Sequence, residues 1–412
     1  MSLQQVLIIG TVWVEPNSSA AGARMIQLIE LFLKQNHKVT FAAASQKNEN
    51  SVALNSIGVN EVSIELNNTS FDHFVKKLNP TIVVFDRFMM EEQFGWRVAE
   101  NCPNAIRILD TEDLHFLRKT RHQQIKKGEG FTTEALLKSD DTKREIASIL
   151  RSDVSLIIST YEMELLKSVF KIDEKTLYYL PFLLNKIDEN QIQKWKPFEE
   201  RNHFVFIGNF FHKPNIDAVL TLKNEIWGKI KAALPEAEIH IYGAYANQQI
   251  HKLHNKKEGF IIKGFANNAK EVVEKAKVVL APLRFGAGIK GKLTEAMICG
   301  TPSVTSKIGA EGMHINLPWN GFIEDDFNTF SEKAIQLFSD KKVWEISQKN
   351  GIKIINKIYD KVILSPPFIN RITEIQQNLE PHRTQNFLGS LLQHQTLQAT
   401  KYMSKWIEIK NS

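Results

Sequence analysis

Short apolar runs ending in glycine or aspartate alternate with helical patterns along most of this chain, and the alternation restarts once. The opening run Val6–Gly10 is continuous and apolar. Such a run reads as a buried strand of a parallel sheet. A polar loop with Pro16, Asn17, Ser18, Ser19 and Gly22 follows, then Met25, Ile26, Leu28, Ile29, Phe32 and Leu33 at helical spacing, then the strand-like HKVTFAAAS. Strand, loop, helix and second strand make the repeating unit of a doubly wound sheet. Thr81–Asp86, AIRILDTED, Val154–Thr160 and TLYYLPF continue the series. At Phe204 it begins again with HFVFIGN, a helical stretch from Asn215 to about Ala233, and then EIHIYGA, GFIIKGF, VVLAPL and TPSVTS.

The restart divides the chain. Residues 1–185 read as one α/β domain, the charged stretch 186–202 as a linker, 203–360 as a second domain of the same type, and 361–412 as a helical tail. A length of 412 residues fits more than one domain. Two such domains imply a cleft between them, with ligand at the carboxyl ends of the strands. The tail is expected to be broken at Pro366-Pro367 and Pro381 and to finish in an amphipathic helix or pair.

Composition removes several classes. Hydrophobic residues are 43% and charged residues 24%, the balance of a globular chain. No run reaches the roughly 18 to 20 apolar residues of a membrane span, and no basic segment introduces a signal peptide. Cys102 and Cys299 stand far apart, so neither a disulfide framework nor a four-cysteine zinc site is expected; a reducing, cytoplasmic compartment is. The net charge of +6 suits anionic ligands but lacks the dense clustering of a nucleic-acid binder.

The densest chemistry lies in Ala281–Gly300. A strand leads into Gly286, Ala287, Gly288, Ile289, Lys290, Gly291 and Lys292, and a helix follows. Glycines let backbone N–H groups approach an anion, the helix N-terminus adds partial positive charge, and Arg284, Lys290 and Lys292 add full charges. Gly286, Gly288 and Gly291 also spell a dinucleotide fingerprint with Glu311 as its ribose acid, and Gly286–Lys292 spells most of a P-loop. The first sits several strands too late in its domain, and the second has Leu293 where a hydroxyl is needed.

This segment resembles the nucleotide-binding half of GT-B glycosyltransferases, specifically the large family 4 group also called glycosyl transferases group 1. The match rests on FIGN at a strand end, Pro214-Asn215, Gly243 and Gly264 closing strands, the string E-A-M-x-x-G-x-P-x-V-T over Glu295–Thr305, and G-x-E-G over Gly309–Gly312. The resemblance implies two Rossmann-like doubly wound domains facing a cleft, with a C-terminal helix returning to the first. It implies transfer of a sugar from a nucleotide-diphosphate donor to an acceptor hydroxyl, with retention, without metal or other cofactor, in glycan or polysaccharide synthesis. Glu295 would hold the ribose, and the loop amides with Lys290, Lys292, Arg284 and Lys213 the diphosphate. Two positions depart from the pattern: Ala287 stands where the family carries an acid, and Asn209 follows the strand-ending glycine where many relatives carry arginine.

In the first domain, Gly10 would bring the loop after the first strand close to the donor phosphates. Asp110, Asp113 and His115, in LDTEDLHFLRKTR, would lie at a strand's carboxyl edge near the reacting sugar, and spacing does not say which acts; Asp113 as a helix cap and His115 as a helix-surface residue is the alternative. The basic run Arg118–Lys127, interleaved with Leu114, Phe116 and Leu117, has the composition to meet an anionic acceptor or the phosphates at the inner face of a membrane, and equally that of a solvated helix face. The expected partners are a nucleotide-sugar and a glycan or lipid-linked acceptor. An epimerase of sugar nucleotides, or a non-catalytic sugar-nucleotide-binding protein, would use the same scaffold.

Overall fold

The computed structural model describes residues 4–394 and 397–411. Two all-parallel sheets account for the architecture. The first contains β1 (Gln5–Gly10), β2 (Lys38–Ala43), β3 (Asn60–Ser63), β4 (Ile82–Asp86), β5 (Ile106–Asp110), β6 (Val154–Ile157) and β7 (Leu177–Tyr179), in the order β3-β2-β1-β4-β5-β6-β7. The second contains β8 (Asn202–Ile207), β9 (Ile239–Tyr242), β10 (Phe260–Gly264), β11 (Ala276–Ala281), β12 (Ser303–Thr305) and β13 (Gly321–Ile323), in the order β10-β9-β8-β11-β12-β13. Each sheet reverses its winding direction once, between β1 and β4 and between β8 and β11. The carboxyl ends at such a reversal are where an open parallel sheet leaves a crevice. The two-domain doubly wound GT-B architecture is therefore present.

The strand sequences explain the sheets. Val6–Ile9, Val83–Phe85 and Val278–Ala281 are wholly buried, because helices cover both faces. Two strands escaped the pattern reading. β3 (NEVS) and β13 (GFI) lie at sheet edges, where one side is open and a long apolar run is not needed.

The stretch around 186–202 is not a free tether. It forms a short helix, Glu189–Lys194, and Trp195 packs beneath Gly300, where a Cβ would fall 2.4 Å from the indole. The chain then passes between the domains twice. Leu184 bonds to Tyr359 O through its N–H at 2.8 Å, and Lys361 N–H to Leu184 O at 2.9 Å, so the outgoing and returning segments lie side by side. The helix Lys361–Gln377 places Phe368, Ile369, Ile372 and Ile375 in the core of the first domain.

The prolines of the tail do not break it. Pro366 and Pro367 sit inside the continuous helix Lys361–Gln377, and Pro381 sits in the helix Leu379–Gln385. The residues whose carbonyls lose a helical donor to Pro366 and Pro367, Val362 and Ile363, are exposed, so water can serve them. The end of the tail is a helix pair, Phe387–His394 and Leu397–Asn411; Gln395 and Thr396 lie outside the described residues. Among the described residues no helix is long and apolar enough to cross a membrane.

One buried ion pair organises the first domain. Arg24, on the helix Ala20–Lys34, contacts Asp110 at 2.8 Å and donates to the carbonyls of Leu180 and Pro181. Both side chains are essentially inaccessible, at 1% and 0%. Asp110, expected at the cleft, is instead sealed beneath it: a helix packed over the β5 edge supplies the counter-charge and closes off solvent.

Removing one partner of such a pair leaves an uncompensated buried charge, which costs about 3–5 kcal/mol. Arg24→Met should therefore lower the unfolding free energy by that amount, read from a full urea denaturation curve. A variant as stable as the parent would remove the pair from its anchoring role.

Candidate active site

The carboxyl edges of the two sheets face each other across a cleft of about 1020 Å³. Of the residues singled out in sequence, Asp113, His115, Asn209, Gly286, Ala287, Ile289, Lys290, Gly291, Lys292 and Glu295 line it. Asp110, Gly10, Lys213, Arg284 and Gly288 do not line it, and each has a physical reason. Gly10 is buried against the Phe41 ring, which a Cβ would meet at 2.2 Å, so its glycine serves packing. Lys213 is exposed at the start of the helix Lys213–Thr221, and Arg284 is held in an ion pair by Asp217.

Gly288 is tied to the first domain. Its φ is +62°, and a Cβ would fall 2.8 Å from Asp113 Cβ, so only glycine fits. Its N–H donates to Glu162 Oε1 at 2.8 Å and is not free for an anion. The same carboxyl oxygen accepts from Leu114 N–H at 2.9 Å. Arg121 also reaches across: it donates to Gly286 O at 2.9 Å and grips Glu311 through two contacts of 2.7 Å. Glu311 is thereby committed, which removes it as the ribose acid of a dinucleotide site.

Asp113 does not cap the helix His115–Lys127. That role falls to two distant carboxylates, since Leu114 N–H donates to Glu162, and His115 N–H (3.2 Å) and Phe116 N–H (2.9 Å) donate to Glu145. Negative charge at a helix N-terminus is favourable there. Asp113 is thus released to face the cleft, where Arg118 donates to it at 2.6 Å and His115 Nε2 lies 3.2 Å away. Burial works against the Asp113 charge, yet Arg118 and His115 overcome it and hold the carboxyl below the usual range. Burial, with Arg118 opposing the help of Asp113, lowers His115 to about 4, so the imidazole is neutral at physiological pH. His212, from the second domain, lines the same region and is lowered to about 3 by burial and by Arg118.

The basic run splits along its length. Leu114, Phe116 and Leu117 are core residues, while Arg118 and Arg121 serve the cleft. His122 stacks on Phe285 with ring centroids 4.4 Å apart, and Lys119 pairs with Asp141. The apolar residues interleaved in this run point into the domain, so the run itself presents no apolar stripe to solvent.

The glycine loop itself carries two unusual lysines. Lys290 is buried, donates to Gly288 O at 2.8 Å, and is lowered to about 8 by burial, against the pull of Glu311. Lys292 donates to Asn215 Oδ1, and burial with the adjacent Lys290 lowers it to about 7. Asn215 in turn donates to Asn209 O at 2.7 Å, and Asn209 Nδ2 reaches Ser18 O at 3.3 Å across the cleft. Glu295 stands one helical turn further along, and burial raises its carboxyl. Among the described residues, no three His, Cys, Asp or Glu side chains converge on a point that could hold a metal ion.

Glu145 and Glu162 were not singled out in sequence, although a signal was present. Glu162 falls in register with Leu165, Leu166 and Val169, and Glu145 with Ile149, so each charge sits on the apolar stripe of its helix.

Residues 201–340 match the family described as glycosyl transferases group 1. No curated protein matches the chain. Three solved structures show the fold it shares. Sucrose-phosphate synthase from Thermosynechococcus elongatus superposes with a TM-score of 0.68 at 15% identity, covering 90% of this chain and 99% of that one. HepE from Anabaena, crystallised with UDP-glucose, gives 0.63 at 10% identity, covering 90% and 100%. A mutant of TarM from S. aureus, in complex with fondaparinux, alpha-GlcNAc-glycerol and UDP, gives 0.56 at 16% identity; the match covers 73% of this chain and 57% of that one. The second domain is thus of the group 1 type, and the whole chain has the GT-B fold.

The two lysines make a pH prediction. With free-site values of about 7 for Lys292 and about 8 for Lys290, a bound anion raises both. Between the free and bound values, binding takes up protons, so anion affinity falls as pH rises through that window. Titrating inorganic diphosphate by calorimetry at pH 8 in two buffers of different ionisation enthalpy should show proton uptake, and Lys292→Met should reduce it. Buffer-independent heats would contradict the assignment.

Proposed function

We propose that this chain is a glycosyltransferase that moves a sugar from a nucleotide-diphosphate donor to an acceptor hydroxyl, with retention and without a metal, in glycan or polysaccharide synthesis in the cytoplasm. The observation that carries the reading is the grouping, on one cleft wall, of the glycine loop, Lys290 and Lys292, with Glu295 on the helix that the loop starts. The loop and lysines suit a diphosphate, and a carboxylate with no side-chain hydrogen bond among the described residues suits the two adjacent hydroxyls of a ribose. The group 1 match covers this wall.

In this reading the reaction runs as follows. The bond between the anomeric carbon and the diphosphate oxygen breaks, and its electron pair leaves on the diphosphate. The acceptor oxygen bonds to the anomeric carbon, entering from the first domain on the same face, and its proton passes to a diphosphate oxygen. Charge separation is the difficult part, and donors preorganised around the leaving group lower its cost. We assign that role to Lys290, Lys292 and the N-terminus of the helix Gly291–Ile298. His115, neutral because it is buried, and the Asp113–Arg118 pair face the loop from the acceptor side. The clamping of the loop by Glu162 and Arg121 supports water exclusion by a closed cleft.

Thermal stabilisation by UDP, GDP, ADP, NAD and ATP–Mg²⁺, compared in parallel, tests the reading. A ligand at 100 times its dissociation constant adds about 2.7 kcal/mol to the folded state. One nucleoside diphosphate should act selectively and without metal. UDP is the first choice, because HepE and TarM are each seen with a uridine nucleotide. Glu295→Ala should weaken that nucleotide by about 1.5–3 kcal/mol, the worth of hydrogen bonds to a charged group, with an unchanged circular dichroism spectrum. Stabilisation by NAD or ATP–Mg²⁺ alone would reject the proposal.

A further inference from the structure

The helix Phe387–His394 turns its polar side to the protein and its apolar side to water. Gly389 is buried against the first domain, where a Cβ would fall 2.1 Å from Leu150 O. Asn386 Nδ2 donates to the same carbonyl at 2.7 Å, and Gln393 Nε2, one turn beyond Gly389, donates to Arg151 O at 3.2 Å. Away from this seat, Phe387, Leu388 and Leu391 are 69%, 58% and 52% exposed. A helix on a domain surface ordinarily turns its apolar stripe inward. Here the seat is glycine and amide, and the stripe is left over.

The orientation is built in. The preceding helix, Leu379–Gln385, is held by Arg383, which pairs with the buried Asp153 at 2.7 Å and donates to the carbonyls of Pro103 and Ala105. His382 Nε2 donates to Asp153 O at 2.7 Å. The helix Leu397–Asn411 adds to the apolar surface, since Tyr402, Met403, Trp406 and Ile407 are all exposed. Lys410 lies 5.2 Å from the Trp406 ring centroid.

Exposed apolar surface on this scale marks an interaction site. Charge and residue type select the partner. Residues 387–412 contain Lys401, Lys405 and Lys410 against one acid, Glu408. Lysines with tryptophan, tyrosine and leucine are the composition of helices that lie in a membrane interface, rings at the headgroup level and ammonium groups at the lipid phosphates. A second copy docked by a twofold axis would instead bring the same lysines together.

We infer that the two terminal helices form a docking surface for a membrane carrying anionic lipid, into which Phe387, Leu388, Leu391, Tyr402 and Trp406 insert. Arg383 and His382 fasten the tail just before β5 and β6, at the amino ends of those strands, whereas the cleft lies at the carboxyl ends. Docking therefore leaves the cleft open, and the inference does not depend on the glycosyl-transfer reading.

The test is co-sedimentation of the full-length chain with vesicles of phosphatidylcholine, alone or with about one third phosphatidylglycerol, alongside thermal unfolding and light scattering. The parent should partition onto the anionic vesicles about tenfold more strongly than onto the neutral ones, and high salt should weaken that partition. Leu388→Ser with Leu391→Ser, and Trp406→Ser with Ile407→Ser, should each reduce it by about tenfold or more. Both double variants should keep the parental unfolding midpoint and the parental stabilisation by UDP, because the substituted side chains are exposed and remote from the cleft. A parent that stays in the supernatant, that binds neutral vesicles equally well, or whose double variants sediment as it does would overturn the inference. So would a parent that scatters as a dimer while its variants scatter as monomers, since a second copy would then cover the surface.

Discussion

The guanidinium of Arg24 is the constraint on which the cleft's first wall depends. It joins three parts of the chain: the first long helix, the carboxyl end of β5, and the carbonyls of Leu180 and Pro181 where the chain leaves the first sheet. A charge without access to water must be matched in place, so these three parts have little freedom relative to one another. The residues just past Asp110 inherit that rigidity. Glu112 and Asp113 are presented to the cleft from a strand end that cannot shift without exposing or stranding a charge.

The fold was legible because its physics is local. Parallel strands buried on both faces need continuous apolar runs, and Val6–Ile9, Val83–Phe85 and Val278–Ala281 carry them plainly. The edge strands β3 and β13 were not legible, since an edge makes weaker demands on composition. Pro366 and Pro367 misled for the opposite reason. Proline's rule assumes that the lost hydrogen bond matters, and at an exposed first turn and a half it does not.

Half of the candidate site was readable and half was not, and the division follows distance along the chain. The glycine loop and Glu295 form one contiguous string, so residue types and spacing reveal them. The residues that place this string against the first domain come from far away. Glu162 is 126 residues from Gly288, and Arg121 is 165 from Gly286. A sequence shows that such a glutamate lies on an apolar helix stripe but not which backbone N–H it will meet. Asp110 shows the converse. Its position at a strand end was right, but the arginine that seals it lies 86 residues earlier.

The two passages of the chain between the domains have a mechanical consequence. A single connecting strand would leave the halves free to swivel as well as to part. Here the segments at Leu184 and at Tyr359–Lys361 are laced together by backbone hydrogen bonds, so they form a ribbon with one soft direction. Torsion of one half against the other would shear that ribbon, while bending folds it like a book's spine. A paired ribbon resists twisting more than bending, and resistance to twist favours keeping Gly288 opposite Glu162 and Gly286 opposite Arg121.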